Sequence, residues 1–283
     1  MVLPMLLNED NLPIDLLLDK EKLIPYIEGK YNGWYYQVKA NGVRGVVSVK
    51  DGKITAIRDR KDLPIFQNYP ELKEVRLPNV KEALLDVEVV ILDDNGKSHY
   101  YNEYDEKKAL TQAGIQLRSL SIKGEEIIKQ HPVSIVIFDV LKLNGERLIT
   151  KSYKERYAKL LTITEADNIK IAKNYTNFRE IWEKVLNEDL EGAVCKNPNS
   201  VYEIDTRSKN YIKIKNYKVD EVEVEETEIN EKGLRVSGKT REALKVDFQM
   251  AGGISLDKGA KVRIKYLEKI GGFGGRLTQP TVA

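Results

Sequence analysis

The chain is poor in cysteine and histidine. Its 283 residues include one cysteine, Cys195, and two histidines, His99 and His131, which lie far apart. A single cysteine excludes an internal disulfide and is typical of a reducing compartment. The scattered positions of these three residues also argue against a structural zinc site, which takes four closely spaced ligands.

Long apolar runs and an excess of one charge are also missing. No apolar run approaches the ~20 residues that span a bilayer, and the start MVLPMLLNEDN becomes acidic too soon for a signal peptide. Lys and Arg number 46 against 44 Asp and Glu, a net charge of +2. We therefore expect a soluble cytoplasmic protein with no membrane partner, whose nucleic-acid surface, if it has one, comes from local segregation of charge.

The hydrophobic pattern predicts an α+β protein with two domains. Strands are expected over 34–58, joined at Asn41-Gly42 and Asp51-Gly52, over 83–92, and over 134–143, the last closed by a turn at Asn144-Gly145. Further short strands are expected in EGAVCK and YIKIKNYK. Helical patterns cover 19–28, 103–130, 152–163 and 175–188. Composition shifts near Tyr217, where acidic residues begin to alternate with valine, a pattern that predicts a strand with one wet face. We expect a first domain over 1–217 and a small β-barrel of ~65 residues over 218–283.

The segment YYQVKANGVRGVV, residues 35–47, places Lys39 beside an Asn-Gly turn signal. One interpretation is an ordinary hairpin with two solvated charges, Lys39 and Arg44. The other is a lysine presented to a phosphate. A lysine amine attacks phosphorus only when it is unprotonated, so its pKa, normally about 10.4, would have to be lowered by burial or by nearby cations.

Attack on a phosphate also needs further cations and a divalent metal held by carboxylates. Glu88 in LLDVEVV and Glu191 in EGAVCK are candidate metal ligands, although Glu88 could instead lie at an edge or in a structural ion pair. Asp86 shares the face of Glu88 and can be purely structural. Lys213 and Lys215 alternate in YIKIK and so project from one face of a strand, either toward the site or toward solvent.

Four segments in this order resemble the motif series of the ATP-dependent DNA ligases, members of the covalent nucleotidyltransferase superfamily. They are KANGVRG, LLDVEVV, IFDVLKLNGERL and EGAVCKNPNSVYEIDTRSKNYIKIK. The PML near the start and the YPEL at 69–72 match the same family. The resemblance runs from about Pro4 to Lys218 and implies a nucleotidyltransferase domain of antiparallel sheets flanked by helices, followed by a small OB-fold barrel.

The resemblance also implies roles for individual residues. Lys39 would be the nucleophile that forms a lysine-AMP phosphoramide. Glu88 and Glu191 would hold a divalent metal, or Glu88 would instead bind the ribose. Gln37 would read the exocyclic amine of adenine, with Val38 beside it, and Phe138 would stack on the base. Four cations would contact the ribose or phosphates of the nucleotide: Arg44, Lys196, Lys213 and Lys215. The 5′-phosphate of the substrate would be bound by Arg60, or alternatively by Arg58, and by Arg207.

The implied activity is the sealing of nicks in duplex DNA by a minimal, monomeric enzyme that uses ATP and Mg²⁺ or Mn²⁺. Three alternatives stay open: an RNA ligase of the same superfamily, a capping guanylyltransferase, and an inactive nucleic-acid-binding relative. The chain departs from the family pattern in having Asn41 where an aspartate is usual and Val87 where a glycine is usual. An Arg-x-Asp-Lys motif, which in the family often follows the last segment, is also missing, and this leaves efficient self-adenylylation in question.

Overall fold

The computed structural model describes residues 3–92, 98, 102–103, 109–110, 128–129, 132–250, 255–267, 269–270, 276–277 and 279–283. The chain forms two compact units. The first comprises Met1–Asp10, Ile24–Asn102 and Leu110–Ile214, and the second comprises Asn11–Leu23, Glu103–Ala109 and Lys215–Ala283. Nothing in the sequence pattern predicts the grouping of Asn11–Leu23 with C-terminal residues.

Two β-sheets dominate the first unit. The four-stranded sheet has the order β1 (Leu6–Glu9), β12 (Arg207–Lys215), β11 (Gly192–Lys196) and β2 (Tyr35–Val38). The six-stranded sheet has the order β10 (Ile169–Ile171), β8 (Val133–Leu143), β5 (Glu82–Ile91), β3 (Val43–Lys50) and β4 (Lys53–Asp59), with β9 (Glu146–Arg147) beside β8.

Strand direction in these sheets differs from the sequence expectation. Antiparallel sheets were expected from the resemblance, and the pairs β2/β11, β3/β5 and β5/β8 are antiparallel. However, β1 runs parallel to β12 and β10 runs parallel to β8. The sheets are therefore mixed. Parallel pairing requires a long connection between the two strands, and a motif search within single segments does not reveal it.

The Asn41-Gly42 segment is not a hairpin. Residues 39–42 lead from β2 in one sheet to β3 in the other, so Lys39 lies on the connection between the sheets and on neither sheet face. A Cβ atom at Gly42 would lie 2.2 Å from the carbonyl oxygen of Val89 in β5. This close approach of backbone to backbone accepts only glycine, and the hairpin interpretation of this segment is wrong.

Two other turn predictions are confirmed. Asp51 and Gly52, with φ angles of 50° and 73°, join β3 to β4 as an antiparallel pair. Asn144 and Gly145, with φ angles of 47° and 89°, join β8 to β9. Positive φ at both central residues is the requirement of the tight hairpin turns that favour Asn-Gly and Asp-Gly.

Helices form where the sequence predicts them on either side of β10. Helix α3 (Tyr153–Leu160) begins with a capping box, in which Ser152 and Glu155 bond each other's backbone N–H groups. Helix α4 (Phe178–Asn187) is capped by Asn177. Nearer the N-terminus lie α1 (Ile14–Leu18) and α2 (Lys20–Lys30), the latter close to the predicted 19–28, and two 3₁₀ turns at Phe66–Asn68 and Pro70–Glu74.

The helical prediction for 103–130 is wrong at its start. Glu103 belongs to the short strand β6 (Asn102–Glu103), and β7 (Ala109–Leu110) pairs with it. Residues 128–129 are helical. The rest of the predicted helix lies outside the described residues.

The second unit contains a seven-stranded sheet. Its order is β17 (Lys269–Ile270), β18 (Arg276–Leu277), β15 (Lys245–Met250), β14 (Gly233–Thr240), β13 (Lys218–Asn230), β16 (Lys261–Tyr266) and β19 (Thr281–Val282). Val222 and Val224 of β13 are buried among residues of β14, β15 and β16, while the glutamates between and after them are exposed. The predicted strand with one wet face is thus confirmed.

Candidate active site

A cavity lies between the two sheets of the first unit. Seven of the residues that the sequence singled out line it: Gln37, Val38, Lys39, Arg44, Glu88, Phe138 and Lys196. They come from five separate strands and one connection, so the fold brings together side chains that are up to 159 positions apart in the sequence.

Lys39 lies at this cavity and forms an ion pair with Glu191. Its Nζ is 2.6 Å from Glu191 Oε2, and its backbone N–H donates to the carbonyl of Gly192. Burial lowers the pKa of Lys39, but the carboxylates of Glu191 and Glu88 outweigh burial and hold it above its ordinary value. The lowered pKa expected for an attacking amine is therefore not a property of the protein alone, because Glu191 stabilises the protonated form.

Glu88 is the second carboxylate at the cavity. Burial raises the pKa of Glu88 to about 7, and the nearby charges of Lys39 and Arg44 oppose this effect. Within the described part of the chain, no side chain donates a hydrogen bond to the Glu88 carboxylate. A half-buried carboxyl group without a partner of its own is suited to receive a ligand or a cation.

Glu88 and Glu191 together fit a hydrated divalent cation. No group of three or more metal-ligating side chains occurs among the residues that the structure describes. Mg²⁺ does not need such a cage, because it commonly keeps several waters and is bound through one or two carboxylates plus the phosphates of a substrate. Both carboxylates act on the charge of Lys39, which places them near the same amine. The donor set is therefore of the right chemistry for Mg²⁺ or Mn²⁺.

Arg44 is held by a buried ion pair with Asp86. Its Nε and Nη2 lie 3.0 and 2.7 Å from the two carboxylate oxygens, and the Tyr202 hydroxyl donates to the same carboxylate. The guanidinium carbon lies 5.3 Å from the centre of the Phe138 ring. Asp86 is thus structural: it fixes an arginine at the wall of the cavity.

Lys196 is buried among aromatic rings. Its Nζ lies 5.0, 4.7 and 5.1 Å from the ring centres of Phe138, Tyr153 and Tyr211, and it donates to the Phe138 carbonyl at 3.0 Å. Burial lowers the pKa of Lys196 to about 7. The amine can therefore gain or lose its proton near neutral pH, which a lysine in water does not do.

The remaining predicted cations do not line the cavity. Lys213 pairs with Glu9 at 2.9 Å, and Lys215, which belongs to the second unit, donates to Gln279. Arg58 is bound to Asp62, Arg207 donates to the carbonyl of Leu7, and Arg60 is exposed. Their contacts with phosphate stay predictions.

Sequence reasoning missed the aromatic and polar side chains behind the cavity. Tyr153 and Tyr211 surround Lys196, and Tyr211 donates to Asp139, which forms a fully buried ion pair with Arg156. The apolar spacing of SYKERYAKLLTI predicts the helix that carries Tyr153 and Arg156, but a repeating pattern says only that one face is buried. It does not say that this face ends in hydroxyl and guanidinium groups that support a site.

The fold matches solved structures of ligases. The structure from a study of Lig E DNA ligases, described as a minimal scaffold for DNA binding, aligns with a TM-score of 0.64, over 100% of this chain and 99% of that one, at 16% identity. The ligase domain of LigD from M. tuberculosis aligns with a TM-score of 0.57, over 99% of this chain and 93% of that one, also at 16% identity. At this level of identity the likeness shows the fold alone, which this chain shares with these ligase structures.

The sequence defines the family. The family model for the ATP dependent DNA ligase domain matches residues 17–215, and the chain belongs to that family. The DNA ligase of Thermococcus onnurineus is 29% identical over 64% of this chain and 32% of its own length, and DNA ligase 2 of Methanosarcina mazei is 30% identical over 67% of this chain and 32% of its own. The chain thus spans about a third of the length of the curated relatives it matches.

No helix among the described residues is long and apolar enough to cross a membrane.

Proposed function

We propose that the chain is a DNA ligase that activates itself with ATP through Lys39 and seals nicks in duplex DNA. The observation that carries the proposal is the position of Lys39. Its amine lies at the cavity, is paired with Glu191, is near Glu88, and shares the cavity with an arginine that Asp86 holds in place. Mycobacterial DNA ligase D, which shares the fold at a TM-score of 0.56, was solved as a complex with ATP.

The reaction consists of three transfers of a phosphoryl centre. The Lys39 amine, after losing a proton, attacks the α-phosphorus of ATP, a P–N bond forms, and the P–O bond to pyrophosphate breaks. The 5′-phosphate oxygen at a nick then displaces Lys39 from the AMP group. Finally the 3′-hydroxyl attacks that 5′-phosphorus, loses its proton and expels AMP. Catalysis of such steps rests on positioning and charge neutralisation.

Different residues of the site contact different parts of the nucleotide. Phe138 offers a ring face for the adenine and Gln37 an amide for its exocyclic amine. Arg44, fixed by Asp86, contacts the ribose or phosphates, and Lys196 adds charge when protonated. Glu88 and Glu191 would hold Mg²⁺ or Mn²⁺, which supplies charge to neutralise the phosphate oxygens.

The other parts of the proposal concern the second unit and the partner. The strands that follow Lys218 form the OB-fold barrel, so that residues 1–217 are the catalytic domain and 218–283 a module that clamps the duplex by contacts to its backbone. Lys213, Lys215, Arg58, Arg60 and Arg207 serve as phosphate contacts. The enzyme works as a monomer in the cytoplasm.

The first test is covalent labelling. The chain is incubated with α-labelled ATP, Mg²⁺ and pyrophosphatase, and the labelled residue is mapped. We expect label on Lys39, none in Lys39→Ala, and undiminished label in Lys170→Ala, which removes an exposed lysine from β10. Labelling by GTP alone would identify a capping-type enzyme, and no labelling with any nucleotide would identify a binding module.

The second test is nick sealing on matched all-DNA, hybrid and all-RNA duplexes. We expect the all-DNA nick to be sealed fastest. Preference for a nick with RNA on both sides would favour an RNA ligase. If wild type and Lys39→Ala seal an unactivated nick equally fast with ATP, the role of Lys39 is refuted.

A further inference from the structure

Lys213 projects from the cavity side of β12. Side chains alternate between the two faces of a strand, so Lys213 lies on the same face as Tyr211, two residues before it. Tyr211 lines the cavity, and so does Leu7 of the neighbouring strand β1. Lys213 itself does not line the cavity, since its amine is bound to a side chain of β1.

The partner of Lys213 on β1 is Glu9. The two residues face each other in the parallel pairing of β1 with β12, and Lys213 Nζ lies 2.9 Å from Glu9 Oε2. The two side chains are 20% and 32% exposed, so the ion pair is in contact with solvent and only partly desolvated. A phosphate that enters the cavity beside Tyr211 therefore meets a lysine that already has a carboxylate partner.

We propose that Glu9 sets the affinity of the site for ATP by competing with the phosphates of the nucleotide for Lys213. The inference rests on the proposed function, since these phosphates belong to the nucleotide that Lys39 attacks. No covalent bond changes in the exchange: the Lys213 ammonium leaves the carboxylate of Glu9 and pairs with a phosphate oxygen. Glu9 thereby determines affinity without contacting the nucleotide.

The geometry of the pair makes the exchange feasible. A lysine carries its charge on a flexible stem with three N–H donors. The amine of Lys213 can therefore change partners by side-chain rotation while β12 stays in place between β1 and β11. The pair of Arg44 with Asp86 differs, because two hydrogen bonds hold the guanidinium and Asp86 is 1% exposed. Arg44 is thus a fixed cation of the site, and Lys213 is an exchangeable one.

The exchange reduces the affinity for nucleotide, because the pair with Glu9 must first be broken. A ligand gains only the difference between its own contact and the contact that it replaces. An ion pair between partly exposed groups contributes a factor of about two to five to an equilibrium constant. Removal of the Glu9 carboxylate should therefore leave Lys213 available and tighten nucleotide binding by about the same factor.

The test measures binding of α,β-methylene-ATP, in which a carbon bridge replaces the oxygen that leaves phosphorus when Lys39 attacks. The analogue reports binding alone, and calorimetric titration in the presence of Mg²⁺ gives its dissociation constant. We expect Glu9→Gln to lower this constant about two- to fivefold relative to wild type. Circular dichroism establishes that the variant is folded, and Glu9→Ala replaces it if it is not.

Asp10→Asn is the matched control. Asp10 is the next residue in the chain, and its carboxylate also binds a lysine at 2.9 Å, namely Lys30 of α2. The variant removes the same charge from the same region but leaves the pair of Glu9 with Lys213 in place, so we expect the affinity of wild type. Equal tightening in both variants would show that loss of any nearby negative charge favours the nucleotide, and this would refute the exchange.

A double variant tests whether Glu9 acts through Lys213. Lys213→Met has no ammonium to exchange, so the addition of Glu9→Gln to it should leave the dissociation constant unchanged. An equal gain in affinity with and without Lys213 would refute the inference, as would unchanged or weaker binding by the folded Glu9→Gln variant. Absence of Lys39 labelling by ATP in the wild type would instead refute the proposed function itself.

Discussion

At the scale of single residues, the ion pair between Arg44 and Asp86 predicts a large loss of stability when one partner is neutralised. Asp86 is 1% exposed. In Asp86→Asn the buried guanidinium keeps its charge without a counter-ion, and breaking a buried pair in this way costs about 3–5 kcal/mol. Urea denaturation of wild type and variant measures the difference in the free energy of unfolding.

Asp62→Asn is the control for this substitution. Asp62 pairs with Arg58 at 3.2 Å at the surface, and exposed pairs contribute about 0–1 kcal/mol. Its backbone has φ of 63°, a conformation that asparagine tolerates as well as aspartate. Equal losses in the two variants would contradict the interpretation of Asp86 as a buried structural partner.

A second prediction at this scale concerns Lys196 and pH. Its pKa is lowered to about 7, chiefly by burial, and the charges of Asp139 and Asp86 raise it while those of Arg156 and Arg44 lower it. In the unfolded chain the pKa is about 10.4, so between pH 7 and pH 10 the unfolded state binds the extra proton and stability rises with pH. Below pH 7 both states are protonated and this contribution no longer changes.

The measurement is the free energy of unfolding of wild type and Lys196→Met at pH 7, 8 and 9. Each pH unit should stabilise wild type relative to the variant by up to about 1.4 kcal/mol. Groups common to both proteins cancel in the difference. A difference that is independent of pH would show that Lys196 keeps its proton in the folded state.

At the scale of elements, the connection between β2 and β3 predicts that Gly42 cannot be replaced. In Gly42→Ala the added Cβ would meet the Val89 carbonyl oxygen, so β3 must shift away from β5 and carry the 39–42 connection with it. Overpacking of this kind costs about 1–3 kcal/mol. We expect loss of Lys39 labelling at temperatures where the variant is still folded.

Gly29→Ala provides the comparison. Gly29 lies in α2, and a Cβ built there meets nothing within 4 Å. Alanine should raise stability by up to about 1 kcal/mol, because it favours the helix and restricts the unfolded chain. Normal labelling in both variants would show that the position of β3 does not matter for the site.

The elements themselves could largely be predicted from the sequence. Asp51-Gly52 lies between two runs with strand patterns and Asn144-Gly145 follows one such run, and local turn chemistry was sufficient to place both turns. Asn41-Gly42 carries the same signal but joins two sheets. What decides between these outcomes is the partner of the following strand, since β3 pairs with β5 and β4 and not with β2. Such long-range pairing is not encoded in a dipeptide.

The site was predictable to a similar degree. The positions of Lys39, Glu88 and Phe138 at one cavity follow from motif order. The ion pair of Lys39 with Glu191 does not, because a motif gives no distance or charge state. Likewise, no spacing indicates that Lys213 binds Glu9 or that Gln37 binds Tyr153, across 116 positions of sequence.

At the scale of the whole molecule, the balanced charge predicts that two activities respond differently to salt. With 46 basic and 44 acidic residues, the proposed binding of DNA would have to come from local contacts with phosphates. Each such contact releases counterions and adds about −0.9 to the slope of log K against log salt concentration. The proposed self-labelling with ATP would take place at a cavity inside one unit and would not depend on contacts with DNA phosphates.

We therefore expect nick sealing at subsaturating DNA to fall at least about tenfold between 50 and 200 mM salt, in line with several phosphate contacts. Lys39 labelling at saturating ATP should change much less over the same range. Parallel declines in both would point to an effect of salt on folding, which circular dichroism at each concentration would detect.

The parallel pairing of β1 with β12 has a consequence for how the protein is made. Leu7, near the beginning of the chain, lines the cavity and sits in register with Ser208, and the Arg207 guanidinium donates to the Leu7 carbonyl. During translation this wall cannot assemble until the ribosome has passed residue 208. A nascent chain will therefore lack this wall of the cavity until residue 208 has been synthesised, and only then can Leu7 take its place at the proposed nucleotide site.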